Sequence, residues 1–390
     1  MNTAQDLAQD QAALQDLVQR FTQERIAPYV AAWDEAGGFP RTLYQEAAAL
    51  GLLGLGYPEA LGGTPAPFAL RNVLSTTMAR VAGSGGLLAS LFSLHIGLPP
   101  LLRYGSLALQ QEVVPPVLRG EKIAALAITE PSGGSDVANL RTTARREGDA
   151  WVLNGEKTFI TSGMRADWIT CAVRTGAADS SQPSKGAAGI SMLLVPGDTP
   201  GLTRTELHKM GWWCSDTATL HFDNVRVPGR YLLGEEGAGF KIIMGNFNGE
   251  RLAMSAMALG FAQACYDEAL AWARQRKSFG AALVEHQVIR HKLVDMQMRM
   301  ASTEAWLNAV TARLDAGEQS SEWVAQVCML KNHATQSMQF CADQAVQILG
   351  GMGFMRGSKA ERIYREVKVM MIGGGAEEIM KELAAKQLGL

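Results

Sequence analysis

Three consecutive glycines, at residues 373–375, separate two helical runs near the end of the chain, in the stretch MIGGGAEEIMKEL. Glycines in such a place can hold a phosphate through backbone N–H groups, end a helix, or mark a position from which a side chain is absent. The stretch lacks the Gly-Lys-Ser/Thr of a phosphate loop and the strand-to-helix spacing of a dinucleotide fingerprint. Phosphate binding is therefore the least favoured of the three interpretations. Glu377 and Glu378 suit the first turn of a last helix, and its buried side is predicted to carry Ile379 and Leu383.

Glu250 and Arg251 place a carboxylate beside a guanidinium in the stretch NFNGERLAM. This stretch opens the first long helical run of the C-terminal part, where the helix dipole favours an acidic first turn without any function. A glutamate removed from solvent has its pKa raised towards neutrality, and such a carboxylate can act as a general base. From the residue types alone, the structural interpretation is the stronger of the two.

Two further polar stretches allow either a binding or a structural interpretation. The stretch AITEPSGGSDVAN, residues 127–139, has the composition of a strand that ends in a polar loop, and such loops are more often solvated connections than binding sites. Arg276, in RQRKSFG, would by itself be a cation at the end of a helix, where the helix dipole favours it. Neither stretch indicates a function on its own.

The elements that must position these residues change in character along the chain. Apolar residues at helical spacing predict a helical N-terminal domain, residues 1–125. Short runs such as ISMLLVP and ATLHFDNVRVP predict an antiparallel β domain, residues 126–235, with a two-residue hairpin turn at Asn154 and Gly155. Three long helical runs predict a C-terminal helical bundle, residues 236–390, so the predicted fold class is α+β.

The composition argues against several classes of protein. The 36 lysines and arginines against 38 aspartates and glutamates give a net charge of −2, without the basic excess expected of a protein that binds nucleic acid. The N-terminal stretch has no apolar core of signal length, and no membrane insertion is predicted. The five cysteines form no CxxC pair and have no histidine at metal-ligand spacing. We therefore expect no metal site, reduced and mostly buried thiols, and a cytoplasmic location.

Two long stretches resemble the signatures of the acyl-CoA dehydrogenase family, whose members use FAD to desaturate acyl thioesters between the α and β carbons. AITEPSGGSD resembles the first signature, and Asn139 stands where a small residue is usual at its end. QILGGMGFMRGSKAERIYRE, residues 347–366, resembles the second, with Gly357 in place of an acidic or amide residue. The resemblance covers nearly the whole chain and includes its order of helical domain, β domain and helical bundle.

The resemblance implies two groups of residues around FAD. The residues expected at the flavin are Leu126, Ile128, Thr129, Gly134, Ser135, Phe159, Thr161, Gly375 and Ala376. The residues expected at the pyrophosphate and adenosine of FAD, bound mainly by a neighbouring subunit, are Arg276, Ser278, Phe279, Gln347 and Gly351. A shared site of this kind implies a homodimer or a homotetramer.

The same resemblance gives the three glycines a meaning. Many members carry the catalytic glutamate in a Tyr-Glu-Gly-Thr element, and residues 373–376 stand in its place, so Gly374 has no side chain to accept a proton. Isovaleryl-CoA and long-chain acyl-CoA dehydrogenases carry their base on the helix that corresponds to the one with Glu250, in a similar Glu-Arg-Leu arrangement. The resemblance therefore implies Glu250 as the base and the N–H of Gly374 as a donor to the thioester carbonyl. The residues expected at the substrate are Ser135, Glu250, Arg251 and Gly373.

The implied activity is the FAD-dependent α,β-dehydrogenation of a medium-chain, long-chain or branched acyl-CoA, with an electron-transfer flavoprotein as the electron acceptor. The absent side chain at Gly374 would leave room for a branched or bulky acyl chain. A close alternative is the same oxidation of an acyl or aminoacyl group on a carrier protein. A flavin oxygenase on the same fold, which needs no carboxylate base, and a non-catalytic assembly partner are the remaining alternatives. The loop over residues 174–189 carries no sequence signal of a role.

Overall fold

The N-terminal part is helical, as the spacing of its apolar residues predicts. The computed structural model of the protein describes residues 4–175 and 186–390, so most of the loop at 174–189 lies outside the described residues. Serine caps mark two helix starts, because the hydroxyls of Ser84 and Ser106 accept the N–H of the residue three positions on. The helices are α1 (Ala4–Arg25), α2 (Val30–Ala36), α3 (Thr42–Ala49), α4 (Phe68–Ala82), α5 (Gly85–Leu91), α6 (Leu94–Gly97), α7 (Pro99–Tyr104) and α8 (Leu107–Leu118).

The middle part is a β domain built on one eight-stranded sheet. Its strands are β1 (Ala124–Ala127), β2 (Thr143–Glu147), β3 (Ala150–Thr161), β4 (Trp168–Arg174), β5 (Ile190–Pro196), β6 (Leu202–Glu206), β7 (Thr217–Pro228) and β8 (Leu232–Leu233). Along the sheet the order is β6-β7-β3-β2-β4-β5-β8, and β1 pairs with β4. The predicted strands ISMLLVP and ATLHFDNVRVP are therefore confirmed as β5 and β7.

Two pairings in this sheet are parallel, whereas the sequence predicts an antiparallel domain. Strand β1 runs parallel to β4, and β2 meets β4 in the same sense where Thr143 pairs with Arg174. The remaining pairings of the sheet are antiparallel. The alternation of side chains shows which face a residue occupies but not the direction of the neighbouring strand, so this detail of the prediction was wrong.

The hairpin turn predicted at Asn154 and Gly155 was also wrong. Strand β3 continues through both residues, and the turn that joins it to β2 lies six residues earlier, at residues 148–149. Gly155 instead occupies a register shift against β7, with φ of 139°. A Cβ there would lie 2.7 Å from the Cα of Thr142, so the glycine serves a β-bulge and a close backbone approach.

The C-terminal part is a bundle of long helices in which α9 packs against α4 and α11. Its elements are α9 (Gly239–Gln275), β9 (Lys277–Ser278), β10 (Ala281–Ala282), α10 (Gln287–Asp315), α11 (Ser321–Leu349), α12 (Gly351–Phe354), α13 (Lys359–Ile372) and α14 (Glu377–Leu388). The α+β architecture predicted from the sequence, with a helical bundle after the β domain, is confirmed.

Two local predictions for this bundle need correction. Helix α9 begins at Gly239, about three turns before Glu250, so the dipole of a first turn does not account for this glutamate. Helix α14 begins at Glu377 as expected, but its buried residues are Met380 and Ala384, and Ile379 is 39% exposed. Leu383 is half-buried and packs against the cluster that contains Met380 and Ala384, so the prediction was wrong for Ile379 only.

Several general features of the chain complete the fold. All five cysteines are free and buried, as predicted. In residues 4–175 and 186–390, no group of three or more His, Cys, Asp or Glu side chains is placed to hold a metal ion. Within the same residues, no single helix has the length and apolar character to cross a bilayer, and only the pair Gly85–Leu91 and Leu94–Tyr104, bent by 51°, meets those two criteria together.

Candidate active site

Helix α9 brings Arg251 into contact with the loop that follows α13. Its Nε donates to the carbonyl of Gly374 at 2.9 Å, and its Nη1 donates to Oδ1 of Asn248 at 3.2 Å. The guanidinium also lies over the ring of Phe247, 5.4 Å from its centroid. These contacts fix the segment of α9 around Arg251 against residues 373–376, which we call the glycine loop.

Glu250, beside Arg251, has a carboxyl group with one buried and unpaired oxygen in the part of the chain that the structure describes. Its Oε2 is buried and makes no hydrogen bond to any described residue, although the residue as a whole is only half-buried. Burial raises the pKa of this carboxyl to about 7, against the opposing charges of Arg251 and Lys331. A desolvated carboxyl group with a pKa near neutrality has the properties required of a general base.

Helix α11 holds the glycine loop from the other side. The ammonium of Lys331 donates to the carbonyls of Met371 and Gly375, each at 2.8 Å, and Nδ2 of Asn332 donates to the carbonyl of Glu377 at 3.0 Å. The sequence predicts neither residue as part of the site. One signal was available, because Lys331 occupies the buried face of α11, which is otherwise mostly apolar.

The glycine loop adopts a conformation that favours glycine. Gly374 and Gly375 have φ of 67° and 118°, a region that other residues rarely adopt. A Cβ on Gly374 would lie 2.8 Å from the Sδ of Met254, one turn after Glu250 on α9. The space that a side chain at 374 would need is therefore taken up by Met254, and the expected room for a branched chain is not left open there.

Three of the four N–H groups of the glycine loop have no hydrogen-bond partner among the described residues. Gly373 donates to the carbonyl of Val369, but no hydrogen bond from the N–H of Gly374, Gly375 or Ala376 to a described residue is present. Partly buried N–H groups without protein partners are uncommon and form the kind of donor set that binds a carbonyl oxygen or an anion.

A second cluster lies at the end of β1 and the start of the loop after it. The N–H groups of Ile128 and Thr129 and the hydroxyl of Thr129 have no hydrogen-bond partner among the described residues. Gly134 folds back over Thr129, since a Cβ on it would lie 3.2 Å from the Thr129 methyl group. Leu126 pairs with β4 in the sheet, and Ser135 is exposed.

A buried ion pair anchors this loop to β3. The ammonium of Lys157 lies 2.8 Å from Oε1 of Glu130, and both side chains are almost inaccessible. Lys157 also donates to the carbonyl of Ile128 at 3.0 Å, while Glu130 accepts the N–H of Thr142 at 2.8 Å. Burial would raise the pKa of Glu130, but Lys157 and the donors from Thr142 outweigh it and hold the pKa below its usual value. The pair fixes the loop without occupying the free groups described above.

Phe159 and Thr161 stand at the end of β3. Phe159 is 69% exposed and has φ of 61°, an unusual backbone conformation for an aromatic residue. It lies within the register shift between Lys157 and Ile160, and a bulge of this kind redirects a side chain. The exposed ring and the Thr161 hydroxyl, which has no described partner, offer an apolar face and a hydroxyl group close together.

The remaining predicted cofactor residues lie elsewhere on the bundle. Arg276 follows Glu250 by 26 residues of α9, which corresponds to about 39 Å along the helix. Its guanidinium is exposed and has no ion-pair partner in the described residues, and the β9–β10 turn beyond it carries Phe279, 98% exposed. Gln347 and Gly351, at the end of α11, are also exposed. The chain thus brings Glu250 and residues 373–376 together, but it does not bring Arg276 to them.

Comparison with known proteins assigns this arrangement to a family. Residues 8–121, 125–225 and 237–389 match the N-terminal, middle and C-terminal domains of acyl-CoA dehydrogenases. The chain belongs to the acyl-CoA dehydrogenase family. Members of this family are FAD flavoproteins of fatty-acid β-oxidation, and the protein is accordingly an oxidoreductase that acts on acyl-CoA.

Individual relatives cover almost the whole of this acyl-CoA dehydrogenase. The mitochondrial long-chain specific acyl-CoA dehydrogenase of Rattus norvegicus is 35% identical over 386 residues, which cover 95% of this chain and 84% of that protein. A putative acyl-CoA dehydrogenase from Mycobacterium smegmatis superposes with a TM-score of 0.93 at 43% identity, over 100% of this chain and 98% of that one. The prolyl acyl carrier protein oxidase AnaB superposes with a TM-score of 0.91 at 26% identity, over 100% of both chains.

Proposed function

We propose that the protein dehydrogenates an acyl-CoA thioester between its α and β carbons, with Glu250 as the base that removes the α proton. The observation that carries this proposal is the Glu250 carboxyl group, which has a buried oxygen without a hydrogen-bond partner in the described part of the chain. Burial raises its pKa to about 7, and a base whose pKa lies near the working pH is the most effective. An unpartnered buried carboxyl group is costly in a protein that has no ligand to use it.

The free N–H of Gly374 would donate a hydrogen bond to the thioester carbonyl of the substrate. As the α proton leaves, negative charge develops on the thioester oxygen, and a fixed N–H donor stabilises that charge. Arg251 supports both groups, because it binds the carbonyl of Gly374 and its positive charge favours the ionised form of Glu250. Gly373 and the exposed Ser135 would also lie at the substrate.

The residues on the β domain suit the reacting end of FAD. The free N–H groups of Ile128 and Thr129 would donate hydrogen bonds to the polar edge of the flavin ring. The exposed side chain of Phe159 would pack against the face of that ring. Bound FAD would supply the acceptor for the β hydride. The other residues proposed at this end are Leu126, Gly134, Ser135, Thr161, Gly375 and Ala376.

The protein would assemble as a homodimer or a homotetramer. Arg276, Ser278 and Phe279 lie at the far end of α9 from Glu250, so they would bind the pyrophosphate and adenosine of FAD held mainly by a neighbouring subunit. Gln347 and Gly351 would contribute to the same shared site. The 98% exposure of Phe279 supports this arrangement, because a large apolar side chain in water is typical of an interface.

The substrate would be a medium-chain, long-chain or branched acyl-CoA, and an electron-transfer flavoprotein would be the electron acceptor. The presence of Glu250 on α9 supports this choice, as does the long-chain relative described above. Met254, which borders the glycine loop, has a flexible side chain that can adapt to different chains. An acyl or aminoacyl group on a carrier protein is the second candidate, supported by the likeness to the carrier-protein oxidase AnaB.

The experiment that tests this function is anaerobic bleaching of the flavin by a panel of straight and branched acyl-CoAs. Wild-type protein should bleach, whereas Glu250→Gln should bind FAD and ligand but bleach about 10² to 10⁴ times more slowly, the usual contribution of a general base. The matched control is Glu378→Gln, which changes an exposed glutamate near the glycine loop and should bleach as fast as wild type.

The outcomes separate the candidates. If Glu250→Gln bleaches at the wild-type rate, Glu250 is not the base. If no acyl-CoA bleaches the wild-type flavin but the same acyl groups on a carrier protein do, the second candidate replaces the first.

A further inference from the structure

Lys331 is a fully buried lysine whose ammonium binds the end of α13 and the glycine loop. Its side chain has no accessible surface, and its ammonium donates to the carbonyls of Met371 and Gly375. An ammonium group is unfavourable in an apolar interior unless its charge is compensated by partners. The partners of Lys331 are the carbonyl of Met371, before the glycines, and that of Gly375, the last of them, so its position depends on the glycine loop and the loop depends on it.

The loop has few other means of holding its shape. Its internal backbone hydrogen bonds involve only the two ends, from Gly373 to Val369 and from Met380 to Ala376. Between these ends, the carbonyl of Gly374 is bound by Arg251 and the carbonyl of Gly375 by Lys331. Glycines have the largest conformational freedom of all residues, so without these two cations the loop would sample many conformations.

Binding the carbonyls also directs the N–H groups. In a planar trans peptide unit, the C=O of one residue and the N–H of the next point in opposite directions. When Lys331 binds the carbonyl of Gly375, the N–H of Ala376 points away from Lys331, and Arg251 acts in the same way on the N–H of Gly375. Two of the three free donors of the loop, the N–H groups of Gly375 and Ala376, are thus turned away from the two cations.

Two charged side chains act on the carboxyl group of Glu250. On α9 the neighbour is Arg251, and on α11 it is Lys331. Lys331 in turn interacts with Arg251, Glu250, the carboxylate of Glu377 on α14 and the thiol of Cys328 on α11. Burial lowers the pKa of Lys331 to about 8, so it remains charged in the pH range in which Glu250 must ionise.

We propose that Lys331 is a positioning residue for the dehydrogenation, which holds the free N–H groups of the glycine loop in place and stabilises the ionised form of Glu250. It touches neither substrate nor FAD in this role and acts through the loop and through its charge. This inference rests on the proposed function of Glu250 and the loop.

The test compares three variants with the wild type. Lys331→Met removes both the hydrogen bonds and the charge while keeping the length of the chain, and Lys331→Gln keeps one donor without the charge. The control is Lys359→Met, which removes a half-buried lysine at the opposite end of α13 from the loop, one whose ammonium contacts the carbonyl of Arg80. Hydrogen exchange of the amides at 373–376 and the pH dependence of flavin bleaching are measured for each.

In Lys331→Met, the loop amides should exchange at least about ten times faster than in the wild type, and the midpoint of the pH profile should move to higher pH. The sign follows from electrostatics, because a nearby positive charge lowers the pKa of a carboxyl group and its removal raises it. Lys331→Gln should show the same shift in pH with a smaller change in exchange. Lys359→Met should match the wild type in both measurements.

The inference is overturned if Lys331→Met, or Lys331→Gln should the first variant fold poorly, keeps wild-type exchange at 373–376 and an unchanged pH midpoint. That result leaves the proposed function intact as long as acyl-CoA bleaches the wild-type flavin. If acyl-CoA fails to bleach the wild type, the proposed function falls, and the exchange measurement alone still decides whether Lys331 holds the loop.

Discussion

Two opposing effects determine the pKa of the Glu250 carboxyl group. Burial raises its pKa to about 7, and Arg251 and Lys331 limit that rise. As a base it must be ionised, so kcat/KM for dehydrogenation should fall about tenfold for each pH unit below this value and level off above it. The measurement is the pH dependence of kcat/KM, which reports groups of the free enzyme. A profile without an acid limb in this region would contradict the assignment.

The position of the base is not freely interchangeable between α9 and the glycine loop. Gly374 has φ of 67°, and a Cβ there would lie 2.8 Å from the Sδ of Met254. In a Glu250→Gln background, Gly374→Glu should therefore restore little activity, since it adds strain of about 1–2 kcal/mol from the left-handed backbone and a contact with Met254. Adding Met254→Ala should raise the rate of flavin bleaching by removing the contact but not the backbone strain. Wild-type bleaching by the double variant with Met254 intact would show that the loop accepts a side chain freely.

At the scale of elements, the two glycines near the start of β3 have different tasks. Gly148, with φ of 63°, forms the turn before the strand and has open space at its Cβ position, whereas Gly155 forms the bulge within it and meets Thr142. Gly155→Ala should therefore destabilise the protein by clearly more than the roughly 1 kcal/mol expected for Gly148→Ala, which carries only the backbone cost. Chemical unfolding of both variants measures the difference. Equal losses of stability would mean that β3 accommodates a side chain at 155.

The sequence predicts those elements whose signal is local. The alternation in ATLHFDNVRVP and the helical periodicity of the C-terminal runs depend only on neighbours along the chain, and both predictions are confirmed. Asn154 and Gly155 show the limit of such signals, because the same dipeptide suits a tight turn and a bulge, and the pairing with β7 decides between them. Lys331 was missed for a related reason: its partners lie 40 and 44 residues further along the chain.

At the scale of the whole molecule, the length of α9 separates the parts of the proposed site. Glu250 and Arg276 lie about 39 Å apart along one helix. The bundle beyond Arg276 also exposes several large apolar side chains, which is typical of a subunit interface. These side chains are Phe279, Val288, Val294, Met298, Met352, Phe354 and Met355. A site completed by a second copy of the chain, as proposed above, would account for both observations.

Mixing two inactive variants tests this arrangement directly. Glu250→Gln lacks the base but keeps Arg276, and Arg276→Gln keeps the base but lacks the guanidinium that would bind the FAD of its neighbour. If sites are shared between subunits, each mixed pair contains one site with both changes and one site with neither. Random association should then restore about a quarter of the wild-type sites, which is more than either variant alone can provide.

The measurement is acyl-CoA dehydrogenase activity per bound FAD after the two variants are unfolded together, refolded and supplied with FAD. Each variant refolded alone serves as the control for losses in refolding. If each site is built within one chain, the mixture can show only the average of the two separate activities, because every chain then carries its own defect. Activity above that average requires Glu250 of one chain and Arg276 of another to act on the same cofactor.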